Sequence, residues 1–495
     1  MICLIFWLLD PEFTKLISSR RINPISISMM KFFSLSALAL LFSLNQLIAQ
    51  DDHAFFIKSI YDHTLEKAQC DQWLQVLSDS IGGRLTGSEN ASDAIDYTHS
   101  VLEAMSIVSR TEKQACTVPR WVRGPKEVVS IRWGDYAKGT DKAHQLNALS
   151  LGNTIGTGDN GVVGDVVEVF GLDTLETLGA EHLKNKVVFF NRPMDPKKIR
   201  TSHAYGEAVD QRVHGAARAG KYGAAAVLVR SVTTMHDDLP HTGVQSYAPS
   251  VEPIPSLAIS TNDANMLSKL LKDNSVDAYI KNDPQVLDSV QSYNVIAEIK
   301  GSTHPDEIIL VGGHLDSWDV GGGAHDDGSG CVHAMQVIET LQALGYKPKR
   351  TIRCVLFMNE ENGLGGGKAY AKASNNSDEY HLAAIESDAG GFSPRGFGCS
   401  AHPSVFKPYL AQLQKLEEFL EPYDLYIKAG GGGADINPLK SQKGILIGLR
   451  PDGSRYFDFH HTTADVFENV NVRELRLGAA AMTSLVYLID QIGLN

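Results

Sequence analysis

The chain has 495 residues and a formal net charge of −13 at pH 7, with 43% hydrophobic and 21% charged residues. At this length one hydrophobic core is not expected, and two domains are the default. The negative charge argues against nucleic acid or an anionic membrane as the main partner, and the composition is that of a globular protein.

The first predicted element is a secretory signal peptide over residues 29–49. A short basic start, an apolar run and a small residue at Ala49 form the pattern of a cleaved leader. A membrane anchor is the alternative, but the run is short for one and polar residues follow it. We predict that translation starts at Met29 or Met30, that residues 1–28 are a misassigned upstream extension, and that the protein is secreted or periplasmic without a membrane anchor after cleavage.

The six cysteines are widely spaced and form no C-x-x-C pair. Cys3 lies ahead of the predicted leader. Cys331 and Cys354 fall on an apparent core helix and core strand, where buried free thiols are expected. Cys70 and Cys116 could form a disulfide in an oxidising compartment, which the sequence alone does not decide.

The pattern of predicted helices and strands changes along the mature chain. Residues 50–135 begin with helical segments, including an N-terminal capping pattern at Ser88. Residues 136–288 alternate short apolar strands with turns and an Ala/Gly-rich helix, and residues 289–495 return to longer strand and helix patterns. The middle segment is either an inserted α/β domain or a further lobe of the same core.

The glycine-rich segment 312–330 follows the apolar run 308–311 and contains His314, Asp316 and Asp326. A short apolar run that ends in glycines indicates a buried strand feeding a loop. In α/β folds, loops at the carboxyl ends of parallel strands hold the chemistry. Histidine and aspartate suit zinc, and a shared carboxylate can hold two metal ions.

Three later strand patterns also end in potential ligands. These side chains are Glu360, Glu361, Asp388, His460 and His461. Strands that alternate with helices predict a mixed, mostly parallel central sheet flanked by helices, so that the strand ends share one edge and the side chains converge.

The order and spacing of these motifs resemble the dizinc exopeptidases of the aminopeptidase Y and glutamate carboxypeptidase II family. The resemblance implies the zinc-exopeptidase fold, and it implies that residues 136–288 are an inserted protease-associated domain. It also implies two Zn²⁺ ions per chain, bound by His314, Asp326, Glu361, Asp388 and His461, with Asp326 bridging both.

The resemblance further implies a role for the neighbouring side chains. Glu360 would be the general base and acid, and Asp316 would orient His314 through a hydrogen bond. Asp465 would stand behind His461. The family also has a cis peptide bond after the bridging carboxylate, here between Asp326 and Asp327.

The chain departs from many relatives at His460, where they carry a tyrosine that steadies the tetrahedral intermediate. An imidazole could donate the same hydrogen bond. The alternative is that His460 only packs beside the site.

The sequence says least about which residues contact the substrate. Gly431 and Gly432 lie in a four-glycine run that either lets backbone approach a ligand or forms a surface loop. Arg450, Arg455 and Tyr456 precede His461, and an arginine there could bind a substrate carboxylate.

A carboxylate-binding arginine would make the enzyme a dipeptidase or carboxypeptidase, which we favour. An acidic group that meets the substrate's free amine would make it an aminopeptidase. Acyl transfer of the glutaminyl-cyclase kind and a non-catalytic binding role rank lower, because the full ligand set is present. The expected partner is a peptide substrate, and a homodimer is left open.

Overall fold

The computed structural model describes residues 52–125 and 127–494. The predicted leader over 29–49, the extension 1–28 and Cys3 lie outside the described residues. Residues 52–58 are helical. All elements discussed below belong to a compact unit that runs from Ser59 onward. Among the described residues, no helix is both long and apolar enough to cross a bilayer.

The strands form two sheets. In chain order they are β1 (Arg110–Val122), β2 (Val128–Trp133), β3 (Lys142–Leu146), β4 (Ala148–Ser150), β5 (Val162–Val169), β6 (Val187–Phe190), β7 (Ala226–Arg230), β8 (Ser256–Ile259), β9 (Val276–Lys281), β10 (Gln285–Ile299), β11 (His304–His314), β12 (Arg350–Phe357), β13 (Tyr380–Glu386), β14 (Pro394–Ala401), β15 (Tyr426–Ala429) and β16 (Ile445–Pro451).

Helices connect and cover these strands. They are α1 (Cys70–Gln75), α2 (Glu89–Glu103), α3 (Thr174–Leu183), α4 (Thr201–Ala208), α5 (Asp210–Gly220), α6 (Thr261–Leu271), α7 (Ser329–Ala343), α8 (Gly365–Asn375), α9 (Pro403–Gln414), α10 (Glu417–Leu420), α11 (Tyr456–Phe459) and α12 (Val472–Ile492). The predicted cap at Ser88 is present, because its hydroxyl accepts a hydrogen bond from the amide of Ala91 at the start of α2.

The first sheet has the strand order β1-β10-β12-β11-β13-β16-β14-β15. Its four central strands, β12, β11, β13 and β16, run parallel. All eight residues of β12 are buried, as expected for a strand covered on both faces. The helices α7 and α12, in which most residues are buried, pack on each other and against β11. The carboxyl ends of the central strands therefore meet at one edge, and the predicted mixed α/β architecture is confirmed.

The second sheet has the order β3-β2-β9-β5-β6-β7-β8-β4. Its two faces carry separate apolar clusters, one around Phe189 and Leu228 and the other around Phe190 and Val227. This sheet, with the helices α3 to α6, is called the second lobe below. It runs from Val128 to Lys281, whereas the sequence placed the corresponding segment at 136–288.

The boundary differs because β2 pairs with β3 and β9 rather than with the first sheet. Its alternating pattern shows a strand but not the sheet that the strand joins. The end differs because β10 begins at Gln285 and pairs with β1 of the first sheet.

The second lobe packs onto the first near the carboxyl edge of the central strands. Met194, Ala204, Ala208 and Val232 form a buried apolar cluster with Phe457 of α11. The side chain of Thr201 donates a hydrogen bond to the carbonyl of Gly453 at 2.7 Å. The second lobe is thus fixed beside the segment that leads to His461.

Candidate metal centre and active site

The four central strands deliver the predicted ligands to one place. β11 ends at His314, β12 is followed by Glu360 and Glu361, β13 is followed by Asp388, and β16 leads through α11 to His461. Because parallel strands present their carboxyl ends at a common edge, these side chains converge there.

The first group of ligand atoms surrounds His314. Its Nε2 lies 3.3 Å from Oδ1 of Asp326 and 3.6 Å from Oδ1 of Asp388. The other ring nitrogen, Nδ1, donates a hydrogen bond of 2.9 Å to the main-chain carbonyl of Asp316. That bond leaves Nε2 unprotonated in the neutral ring and directed at the two carboxylates, as a metal ligand requires.

The second group surrounds His461. Its Nε2 lies 3.2 Å from Oδ2 of Asp326 and 3.2 Å from Oε2 of Glu361. Its Nδ1 donates to the carbonyl of Thr242 at 3.2 Å, and the amide of Thr242 donates back to the carbonyl of His461 at 3.1 Å. The second lobe therefore sets the tautomer of this histidine.

Asp326 belongs to both groups, one oxygen to each. Two carboxylate oxygens here are buried and have no hydrogen-bond donor among the described residues: Oδ2 of Asp326 and Oε1 of Glu361. Buried carboxylate oxygens without donors are costly unless a cation meets them. Two imidazole nitrogens and three carboxylates thus form two sets that share Asp326. Ligand atoms of His314, Asp326 and Glu361, and likewise of Asp326, His460 and His461, lie within 4.8 Å of one another, and this donor chemistry suits zinc.

Asp316 acts on the site differently from the sequence prediction. The Asp316 carboxylate lies 4.0 Å from Nδ1 of His314. That nitrogen instead donates its hydrogen bond to the main-chain carbonyl of Asp316. The carboxylate oxygens accept the amides of Asn359, Glu360 and Glu361 at 2.6, 3.0 and 3.3 Å. A side chain with several acceptor sites can satisfy the free amides of a strand end. Asp316 therefore positions both the His314 ring and the segment that carries Glu360.

Two further aspartates hold the loop around Asp326. Asp465 accepts the amides of His325 and Asp326 at 2.6 and 3.1 Å, and burial raises its pKa to about 7. Asp327 accepts the amides of His314 and Gly330, both at 3.0 Å. The peptide bond between Asp326 and Asp327 is cis, as the resemblance implies.

The ring of His325, which the sequence left out of the ligand set, packs elsewhere. It stacks on Phe392 with 4.3 Å between ring centroids, and its Nδ1 accepts the amide of Gly391. Its role in the described structure is packing.

Arg84 is a functional residue that the sequence did not single out. Its side chain is fully buried and donates to the carbonyls of Leu315, Gly322 and Gly323 at 2.6, 2.7 and 2.9 Å. These carbonyls belong to the segment between His314 and Asp326. Only the fold shows that this arginine holds the metal loop.

Glu360 reaches the cavity beside the two ligand groups. In the metal-free protein, burial raises the pKa of Glu360 well above its usual value, while the nearby His314 ring lowers it and the carboxylates of Asp388 and Glu361 raise it. A carboxyl whose pKa is raised by its surroundings is suited to accept and return a proton.

His460 lies against the metal centre. Its ring stacks on His461 with 3.5 Å between centroids, and its Nε2 lies 3.6 Å from Oδ2 of Asp326. Burial, followed by the charge of His461, holds the pKa of His460 well below its usual value. A neutral ring keeps one N–H that can be donated.

A cavity of about 600 Å³ adjoins the metal centre, within the usual range for small-molecule sites. Its first-lobe lining includes Glu360, Tyr456 and His460. Its second-lobe lining includes Tyr205 and Arg212. The cavity is thus a cleft between the two lobes.

The predicted substrate contacts separate into two sets. Tyr456 lines the cavity, but Arg450, Arg455, Gly431 and Gly432 do not. The guanidinium of Arg450 bonds the carbonyl of Gly431 beside β14 and β16, and that of Arg455 lies over the ring of Phe459 at 5.3 Å. Proximity to His461 along the chain misled the prediction, because α11 turns the backbone between these arginines and the histidine. Within the described residues, the arginine in the lining of this cavity is Arg212.

The cysteines within the described residues are free and buried. Cys70 and Cys116 therefore do not form the disulfide that the sequence left open. The thiol of Cys331 donates to the carbonyl of His314 at 3.0 Å, beneath the metal centre.

Comparisons with known proteins bear on this geometry. Residues 294–486 match the model of Peptidase family M28. Carboxypeptidase Q of Mus musculus is 32% identical over 420 residues, which cover 84% of this chain and 84% of that protein.

Solved structures agree with the sequence matches. A Peptidase M28 precursor from Shewanella amazonensis has a TM-score of 0.82 at 31% identity, covering 89% of this chain and 97% of that chain. A zinc aminopeptidase from Bacillus subtilis has a TM-score of 0.60 at 17% identity, covering 85% of this chain and 94% of that chain. The second match is a likeness of fold.

Proposed function

The chain belongs to peptidase family M28 and is a zinc-dependent peptidase, and from this premise we propose that it is a secreted dizinc exopeptidase of dipeptides or short peptides. The observation that carries the proposal is the pair of ligand groups that share Asp326, with Glu360 in the adjoining cavity. We further propose that the second lobe is the family's protease-associated domain.

Zinc bound to these residues supplies a Lewis acid that lowers the pKa of water and polarises a carbonyl group. Glu360 takes a proton from the attacking water and transfers it to the leaving amine. Asp316 fixes the position of Glu360 by binding the amides of residues 359–361. In this proposal the N–H of His460 stabilises the negative charge that develops on the carbonyl oxygen.

Two observations support a small substrate that is held by its carboxyl end. The homologue in Mus musculus is named a carboxypeptidase. The acidic side chains that line the cavity, within the described residues, are Asp326, Glu360, Glu361 and Asp388, all assigned to metal binding or proton transfer. In this proposal all four carboxylates have a role at the metal centre, so the cavity lining offers no further acid to pair with a free amino terminus.

Purified protein tests the proposal through its metal content and its action on alanyl-alanine. We expect two zinc ions per chain, release of free alanine, and loss of activity after chelation that zinc restores. Hydrolysis by metal-free protein would reject the metal chemistry, and cleavage of an amidated but not an acetylated peptide would reject the carboxypeptidase assignment.

The Glu360→Gln variant tests the proton transfer. We expect kcat to fall by about 10²- to 10⁴-fold, because a general base typically contributes that much, while the zinc content stays at the wild-type level. Glu103→Gln, at an exposed position of α2, is the matched control and keeps full activity. An unchanged kcat in Glu360→Gln removes Glu360 from the mechanism.

A further inference from the structure

Arg212 lies on α5 of the second lobe and lines the same cavity as the metal ligands. Its side chain is only 5% exposed. Its Nη1 lies 3.5 Å from Nδ1 of His461, so one imidazole ring separates the guanidinium from the ligand atom Nε2. A charged group of the second lobe thus stands directly beside the reaction centre.

The charge of Arg212 has no acidic partner among the described residues. Its guanidinium donates to the hydroxyl of Tyr205 at 2.8 Å and, at 3.5 Å, to the carbonyl of Thr242. Both acceptors are neutral. A buried charge is costly unless it is paired.

Two other buried arginines, Arg123 and Arg353, show the contrast. Arg123 forms an ion pair with Asp319 at 2.6 Å, and Arg353 pairs with Glu298 and Glu379. Arg84 has no carboxylate, but three carbonyls accept from it. Arg212 differs in combining an unpaired charge with a position on the cavity.

The guanidinium is held in a fixed position. It lies 5.6 Å from the centre of the Tyr205 ring, and a Cβ on Gly243 would approach its Cζ to 2.4 Å. Gly243 has φ of +139°, so glycine both tolerates the backbone geometry and leaves the space that the guanidinium fills. A group that is already oriented binds a ligand with less loss of entropy.

We propose that Arg212, held by Tyr205, binds the C-terminal carboxylate of the peptide substrate. Arginine and carboxylate form strong, directional hydrogen bonds, and a desolvated arginine strengthens them further. Only the imidazole ring of His461 separates Arg212 from the proposed ligand atom Nε2, so a carboxylate held by Arg212 keeps the last peptide bond near the metal centre. In this proposal the site selects peptides whose scissile bond precedes the last residue.

This inference rests on the proposed function, and its test separates the two. Alanyl-alanine and alanyl-alaninamide differ only in the terminal carboxylate, so kcat/KM is measured for both in wild type, Arg212→Gln and Arg212→Lys. We expect Arg212→Gln to lower kcat/KM for the free acid by about 10- to 100-fold, the usual effect of a hydrogen bond to a charged group. The value for the amide stays within about twofold of wild type, and Arg212→Lys recovers part of the loss on the acid.

Arg218→Gln is the matched control, because Arg218 lies on the exposed face of the same helix. It leaves both substrates unaffected. An equal fall for acid and amide in Arg212→Gln, or no fall at all, overturns the assignment of Arg212. Zinc content is measured for every variant, because an equal fall that comes with lost zinc shows that Arg212 positions His461 instead of binding the carboxylate.

Binding of both peptides by calorimetry, in the Glu360→Gln background, tests Arg212 independently of turnover. If wild type hydrolyses neither peptide, the proposed function fails, and an acid-specific loss of affinity in the Glu360→Gln/Arg212→Gln protein still supports the carboxylate site. Equal affinity for acid and amide in the Glu360→Gln protein rejects it.

Discussion

The two lobes contribute to the active site in different ways. The first lobe supplies the proposed zinc ligands: His314, Glu361 and Asp388 at or just after strand ends, Asp326 in the loop that follows β11, and His461 after α11. The second lobe supplies Arg212 and Tyr205, which line the cavity, and the carbonyl of Thr242, which accepts a hydrogen bond from His461. Under the two proposals above, one lobe sets the reaction and the other sets what is bound.

The division has one exception. Thr242 and His461 exchange two hydrogen bonds, so the second lobe also fixes the tautomer of a proposed ligand. This contact ties the position of the second lobe to the state of the metal centre.

Apart from this contact, the division between the lobes makes a general prediction. Variants in the first lobe should affect every substrate alike, while variants of second-lobe side chains should affect substrates selectively.

The largest effect is expected for Asp326→Asn, which changes the carboxylate shared by both ligand groups. We expect zinc content to fall below two ions per chain and activity on acid and amide alike to fall by more than about 1,000-fold, because metal ions contribute several kcal/mol to such reactions. Metal analysis and kcat/KM on both peptides check this. Full zinc occupancy in the variant would show that Asp326 is not the bridge.

Arg84→Met tests how the first lobe holds the metal loop. Three carbonyls lose their donor, so we expect the free energy of unfolding of the metal-free protein to fall by about 3 kcal/mol. Urea unfolding in the presence of chelator measures it, with Arg218→Met, at an exposed position, expected within about 0.5 kcal/mol of wild type. A change in Arg84→Met as small as that of Arg218→Met would mean that water replaces the guanidinium.

The sequence predicted most of the first lobe's contribution because its signals are local. Apolar runs that end in His314 or in Asn359-Glu360-Glu361 predict the carboxyl ends of strands. Parallel strands bring their carboxyl ends to the same edge of the sheet. The proposed ligands needed only this rule and the family's spacing. The roles of the Asp316 carbonyl and the Arg84 side chain could be recognised only in the structure. Both roles depend on hydrogen bonds to main-chain carbonyls, and every residue type has such a carbonyl.

The second lobe's contribution was missed because its contacts are distant in sequence. Arg212 and His461 are 249 positions apart, and Thr242 and His461 are 219 apart. One local signal existed: Arg212 shares the buried face of α5 with Gly215, Ala216 and Ala219. A charged residue on an apolar helix face indicates a special role, but not the cavity that it faces.

His460→Ala tests a residue that adjoins both lobes, since its ring contacts His461 and lies 5.4 Å from that of Tyr205. We expect kcat to fall by about 100-fold on acid and amide alike, as for the loss of one donor to a developing oxyanion, with two zinc ions retained. His460→Gln, which keeps an N–H donor, should recover part of the rate. Unchanged kcat with full zinc would leave His460 as a packing residue, and lost zinc would make it a ligand.

The smallest effect, and the one that most sharply separates the lobes, is expected for Tyr205→Phe. The variant keeps the ring that stacks on Phe457 at 4.6 Å but loses the hydroxyl that accepts from Arg212. One neutral acceptor is worth about 1 kcal/mol, so kcat/KM for alanyl-alanine should fall about fivefold, while the value for alanyl-alaninamide stays constant.

The matched control for Tyr205→Phe is Tyr222→Phe, which removes a hydroxyl from the second lobe away from the cavity lining. It should change neither value. If Tyr205→Phe instead slows both peptides equally, the hydroxyl serves the reaction rather than the carboxylate. The second lobe would then take part in catalysis, and the division between the lobes would not hold.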